Sequence, residues 1–310
     1  MKKIIALAGG VGGAKLVLGL SNVIEPENLV IVVNTGDDEE IYGLNVSPDL
    51  DTVMYTLADI VNKKFGWGVS GDSFTTLNQL DKYGFDTWFK IGDIDFATHI
   101  ARTKMLRSGM TLTETTKRLS TNLNIKHNII PMTDGKVSTI LNTDDGFMEF
   151  QEYFVKNRFE SKVRSVEFKG IETCVASPDF TLALDEYNAL IICPSNPFLS
   201  ILPILSIPDV RNKIKCFNGT KIAVSPIIGN DSVKGPAGKM LREQGHEVSA
   251  LGVAKIYSDF CDIFVIDLKD AHLADEIKNL GMKVHLTNIM MNTIEDKISL
   301  AKDMISLLEE

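Results

Sequence analysis

The stretch Ile4-Ile5-Ala6-Leu7-Ala8-Gly9-Gly10-Val11-Gly12-Gly13-Ala14-Lys15 decides the fold. Its first five residues are apolar without alternation, as in a strand buried on both faces. Glycines follow at once, and the segment from Lys15 to Val23 then carries a helical period. Buried strand, glycine turn and helix form the opening unit of a parallel α/β sheet. Glycines at such a turn let backbone N–H groups approach phosphate oxygens, and the helix N-terminus adds partial positive charge. The run matches neither the GxGxxG fingerprint nor the Walker pattern, so it names no particular nucleotide, and a plain tight turn is the bland alternative.

The same strand signature recurs at Leu29 to Val33, Ala189 to Cys193, Lys221 to Val224 and Ile263 to Ile266. Helical patterns lie beside several of them, at Ala237 to Gln244 and Ala274 to Leu280, which predicts a Rossmann-like, doubly wound, mainly parallel sheet. The stretch from about Val53 to Val166 breaks that rhythm. Phe74 to Leu80, Phe96 to Arg107 and Leu112 to Leu123 read as amphipathic helices, and Val137 to Phe150 as a hairpin turning at Asp144-Asp145-Gly146. The expected organisation is a core of residues 1–60 and 167–310 with an inserted, mostly helical subdomain at 61–166.

The 310 residues are 44% hydrophobic and 24% charged, values of an ordinary folded domain. A net charge of -9 speaks against nucleic acids and anionic membrane surfaces, which demand clustered Lys and Arg. Lys2 and Lys3 precede an apolar run too short for a signal peptide, and no run approaches the roughly 20 residues of a membrane span. A cytoplasmic location is expected. The four cysteines, Cys174, Cys193, Cys216 and Cys261, lack zinc spacing and read as reduced structural thiols.

Four groups of residues could carry chemistry. The glycine turn, Gly9, Gly10, Val11, Gly12 and Gly13 with Lys15, suits a diphosphate. After the second strand, Asn34-Thr35-Gly36-Asp37-Asp38 and Ser47-Pro48-Asp49-Leu50-Asp51-Thr52 place four carboxylates where ligands of open α/β sheets bind. Magnesium held by one or two of them and completed by phosphates and water is the natural use, although one could simply cap the next helix. Trp88, Phe89, Lys90 and Asp93 precede a helix whose His99, Arg102 and Arg107 share a face suited to anionic groups, or to solvent. Finally, Pro194-Ser195-Asn196-Pro197, Ser225-Pro226-Ile227-Ile228-Gly229 and Val233-Lys234-Gly235-Pro236 put hydroxyl, amide and ammonium donors at strand ends, where they could equally just make turns.

In order along the chain, LAGGVGGAKL, VVNTGDD, VSPDLDTVMYTLA, GWGVSGDSF, WFKIGDIDFATHIART, LRSGMTLTE, FQEYFV, CPSNPFLSILPIL and VSPIIGNDSVKGPAGKM together resemble the 2-phospho-L-lactate transferase family of coenzyme F-420 biosynthesis. The resemblance implies a GDP-linked donor, lactyl-(2)-diphospho-5′-guanosine, attacked by the terminal ribityl hydroxyl of 7,8-didemethyl-8-hydroxy-5-deazariboflavin. Magnesium assists and GMP is released. Related members use donors derived from phosphoenolpyruvate or phosphoglycerate. On this reading Gly9 to Gly13, Lys15, Ser195, Asn196, Ser225 and Lys234 hold the donor, and Asp37 and Asp51 hold Mg²⁺. Alternatively, Asp51 positions or deprotonates the attacking hydroxyl. Trp88, Lys90, Asp93, His99 and Arg102 face the deazaflavin. One departure is Ile94, where the family pattern carries arginine, which leaves its work to Lys90 or Arg102. The expected assembly is a homodimer.

Two other readings share the fold class. A sugar-nucleotide-binding regulator resembling the gluconeogenesis-factor family would keep the glycine-rich start without catalysis, but the DLDT and PSNP segments favour the enzyme. An NAD-dependent dehydrogenase is weakened by the missing GxGxxG and by the lack of an acidic residue at the end of the second strand.

Overall fold

The computed structural model describes residues 2–229, 231–232 and 236–309. The central sheet is seven-stranded. Its strands are β1 (Ile4–Ala8), β2 (Leu29–Val33), β3 (Asn128–Pro131), β4 (Ala189–Ile192), β5 (Thr220–Val224), β6 (Ile263–Asp267) and β7 (Lys283–Thr287). In space they run β7-β6-β5-β4-β1-β2-β3, and every pairing is parallel. From β1 the chain winds outward to β2 and β3, then returns to β4 on the other side of β1. The winding therefore reverses between β1 and β4, and the carboxyl end of that junction is where ligands of doubly wound sheets bind.

Both faces of the sheet are covered, which is why its central strands are apolar without alternation. Ile5, Leu7, Leu190 and Ile192 enter one core and Ile4, Ala6, Ala8 and Ile191 the other. Helix α1 (Gly10–Ser21) closes the second face together with the C-terminal helix Ile294–Glu309. The two approach so closely that a Cβ on Gly19 would collide with the Lys297 carbonyl.

Between β2 and β3 lie the antiparallel pair Glu39–Ile41 and Leu44–Val46, α2 (Pro48–Leu57), α3 (Thr75–Lys82), α4 (Asp93–Arg107) and α5 (Leu112–Asn122). The expected hairpin forms as Ser138–Thr143 and Gly146–Glu149, and Val163–Lys169 adds a third antiparallel strand. The single insert expected at 61–166 is corrected by β3, which pairs with β2 in the central sheet. Helices precede β3 and the small sheet follows it. Two short segments with i to i+5 bonds, Glu152–Lys156 and Pro197–Ile201, flank the sheet's carboxyl edge. Such wide turns are frequent at functional sites.

Candidate active site

At the switch point the glycine turn and the loop after β4 are locked together. The Ser195 hydroxyl accepts from the Gly9 N–H at 3.1 Å and donates to the Gly9 carbonyl at 2.7 Å. Added Cβ atoms on Gly12 and Gly13 would strike the Pro194 carbonyl and the Ser195 hydroxyl. These glycines are thus required by neighbouring protein. Gly10 alone adopts a left-handed backbone, φ +63°, at the first residue of α1. Asn196 caps Phe198 and Leu199 through its Oδ1, while its buried Nδ2 has no partner. An unpaired amide donor beside a helix N-terminus fits an anionic oxygen.

The carboxylates converge on the same edge. Asp49, from the first turn of α2, accepts the Gly10 N–H at 2.6 Å and so caps α1 rather than its own helix. The buried Asn34 amide at the end of β2 binds the cluster together. Its Nδ2 is 3.0 Å from Asp37 Oδ1, 3.0 Å from Asp49 Oδ2 and 3.2 Å from the Leu199 carbonyl, while its Oδ1 accepts the Gly36 N–H. Asp38 accepts from the Ser47 hydroxyl, and its second oxygen, like the Thr35 hydroxyl, is buried and unpartnered. Burial, with repulsion from Asp49 and Asp38, drives the Asp37 carboxyl well above its ordinary value. Burial raises Asp38 likewise and pushes Asp49 up to about 6. Like charges crowded out of water gain most from a cation.

Asp51 is part of a different set. Both of its oxygens accept from the Arg102 guanidinium in a buried, bidentate pair. His99 stands behind, with Nδ1 3.3 Å from Arg102 Nη1 and Nε2 3.3 Å from Asp95 Oδ1. Asp95 also accepts from the Tyr55 hydroxyl at 2.7 Å. Asp51, expected to hold metal or meet the attacking hydroxyl, and His99 and Arg102, expected to face the deazaflavin, are here paired with one another. A buried carboxylate requires a countercharge, and Arg102 supplies it.

The other anticipated residues lie on several neighbouring elements. Asp93 accepts from Ser73, Thr75 and Thr76 at the start of α3, while Asp72 accepts the Ile94 and Asp95 N–H groups at the start of α4. Trp88 is half-buried against the small cluster of Ile41, Val46, Leu77, Ile91 and Phe96, and Lys90 and Ile94 are exposed. The Ser225 hydroxyl is spent on a turn with Ile227. Lys15 lies on α1, one turn beyond the glycines. Lys234 lies outside the described residues. Sequence reading quoted Asn34 without giving it a role and passed over Ser200. Ser200 follows the PSNP motif, hydrogen-bonds Asp49 and would obstruct a Cβ on Gly9.

Among the described residues, no group of three or more His, Cys, Asp or Glu side chains is placed to hold a metal ion. A hard divalent cation nevertheless fits Asp37 and Asp49, because it commonly takes one or two carboxylates and completes its shell with phosphate and water.

The comparisons bear on the whole chain. The sequence model of the family described as "2-phospho-L-lactate transferase CofD" matches residues 4–301. The 2-phospho-L-lactate transferase of Methanosarcina mazei is 41% identical over 96% of this chain and 98% of that protein. The enzyme of the same name from Methanocaldococcus jannaschii is 40% identical over 97% of each. In structure, a UPF0052-family protein from Bacillus halodurans superimposes with a TM-score of 0.67 at 14% identity, over 98% of this chain and 99% of that one, which speaks for the fold alone. With relatives this similar over nearly its full length, the chain belongs to the 2-phospho-L-lactate transferase family.

Proposed function

We propose that the protein moves a 2-phospho-L-lactyl group from lactyl-(2)-diphospho-5′-guanosine to the ribityl hydroxyl of 7,8-didemethyl-8-hydroxy-5-deazariboflavin, within coenzyme F-420 biosynthesis. The observation that carries the reading is the meeting, at the β1/β4 switch point, of a glycine turn and a buried carboxylate cluster joined by the Gly10 to Asp49 hydrogen bond. The first turn of α1 and the Asn196 amide meet the donor diphosphate. Asp37 and Asp49 hold magnesium, which when bound neutralises charge on the phosphates.

The hydroxyl oxygen forms a bond to the lactyl-bearing phosphorus as the bond from that phosphorus to the bridging oxygen breaks. GMP leaves with the electron pair, and the hydroxyl proton passes to the carboxylate cluster. Transfer of this ester-bearing phosphoryl group asks for positioning and charge neutralisation more than for a covalent group. The deazaflavin lies toward the segments around α3 and α4, where Phe65 and Trp67 expose adjacent rings with centroids 5.6 Å apart.

Incubating the protein with the deazaflavin, Mg²⁺ and the guanosine donor should yield the phospholactyl deazaflavin and GMP, identified by mass. Donors carrying other three-carbon acids should react more slowly. No product from any donor, with both substrates recovered intact, would overturn the reading. The metal assignment has its own check: Mg²⁺ should raise the melting temperature of the wild type but not of Asp37→Asn, and equal shifts would move the ion elsewhere.

A further inference from the structure

The carboxylate-bearing segment between positions 38 and 51 is gripped by one helix, α4, at several points. Arg107 Nη2 donates to the Gly43 carbonyl at 2.9 Å. The Thr103 hydroxyl accepts the Asn45 N–H at 2.7 Å, and Arg102 Nη1 lies 3.4 Å from the Asn45 carbonyl. The strongest link is the buried Arg102 to Asp51 pair, held from behind by His99, Asp95 and Tyr55. Asp51 stands two residues from Asp49 in the first turn of α2, and Asp49 caps the glycine turn. Polar contacts thus tie α4 to Asp51 through Arg102, the first turn of α2 carries Asp51 and Asp49 together, and Asp49 holds the Gly10 N–H.

We infer that Arg102 is a positioning residue that couples the two substrate sites, so that occupancy on the α4 side sets the geometry of the glycine turn on the donor side. This rests on the assignment of nucleotide and deazaflavin given above. Coupling of this kind is reciprocal: each ligand tightens the other by the same factor. The physical basis is the rigidity of the pair. A bidentate guanidinium and carboxylate out of contact with water have one good arrangement, and displacing α4 displaces α2 with it. A lysine at 102 supplies the charge without the planar fork.

The test is a binding cycle on the full chain. GDP serves as the probe of the diphosphate site and the deazaflavin is followed by its own fluorescence, each titrated with and without the other. In wild type, GDP affinity should rise on the order of fivefold or more when the deazaflavin is saturating, with the same factor in the reverse direction. In Arg102→Lys that factor should fall toward one while each ligand alone still binds. The paired variant Asp51→Asn with Arg102→Gln, which removes both charges of the pair together, should fold and behave in the same way.

A purely structural role would weaken both single affinities and leave the factor unchanged, and that result overturns the inference. So does a coupling factor of one in wild type when both probes bind. If neither probe binds wild type, the proposed function fails and this inference fails with it.

Discussion

At the scale of single residues, Asn34 shows how one buried amide can organise a site. It donates toward two carboxylates and a carbonyl and accepts a backbone N–H, so every neighbour depends on it. Asn34→Ala would leave the Asp37 carboxyl and the Gly36 N–H short of their amide partner in the interior, at about 1 to 3 kcal/mol of stability. Denaturant unfolding at fixed Mg²⁺ should show that loss, and a loss below about 0.5 kcal/mol would mean that water replaces the amide. The glycine turn teaches a related lesson. In the sequence its glycines read as room for a diphosphate, yet Gly9, Gly12 and Gly13 are small because Asp49, Ser200, Pro194 and Ser195 press on them. Phosphate access and tight packing call for the same residue type. Which one a glycine serves depends on partners distant in the sequence, like the carbonyl of Pro194 against Gly12, that only the fold brings near.

At the scale of elements, α3 and α4 cap one another. Asp93, the first residue of α4, accepts from the start of α3, and Asp72, just before α3, accepts from the start of α4. Hydrogen bonds from Ser73 and Thr76, led by the Ser73 hydroxyl, hold the Asp93 carboxyl well below its ordinary value. A carboxyl whose folded pKa is depressed contributes stability that is fully present above its unfolded pKa and is lost as pH falls through the folded one. Wild type should therefore lose stability below about pH 4, near the unfolded value for Asp. Asp93→Asn should be less stable at neutral pH and lose less on acidification. Melting curves between pH 7 and pH 3 compare the two, and parallel losses would show that Asp93 carries no such linkage. Sequence reading found the helix here but gave Asp93 to a ligand, because a cap is identified only by the N–H groups it meets. It found β1, β2, β4, β5 and β6 through their unbroken apolar runs. The outer strands β3 and β7 escaped it: Asn128–Pro131 is short and ends in proline, and Lys283–Thr287, at the sheet margin, mixes charged and apolar residues.

For the whole molecule, the order β7-β6-β5-β4-β1-β2-β3 makes the location proposed for the donor a consequence of winding. Chain leaving β1 and chain leaving β4 must diverge around the point where the winding reverses, and their first turns leave backbone N–H groups facing that gap. The protein from Bacillus halodurans keeps the same overall fold at 14% identity, so the gap belongs to the architecture. A nucleotide bound there should slow amide hydrogen exchange in the peptides covering 9–13 and 194–201. It should leave β3 and β7, the sheet's two edges, near their free rates, because ligand binding suppresses mainly the local openings that it touches. Adding the deazaflavin should extend protection to 93–107 and, through the α4 contacts with 43–51, deepen it at the glycine turn. Exchange measured by mass spectrometry with GDP, with the deazaflavin and with both resolves these segments. Protection centred on 263–273 with no change at 9–13 would place the nucleotide at the end of β6 and remove the glycine turn from the donor site.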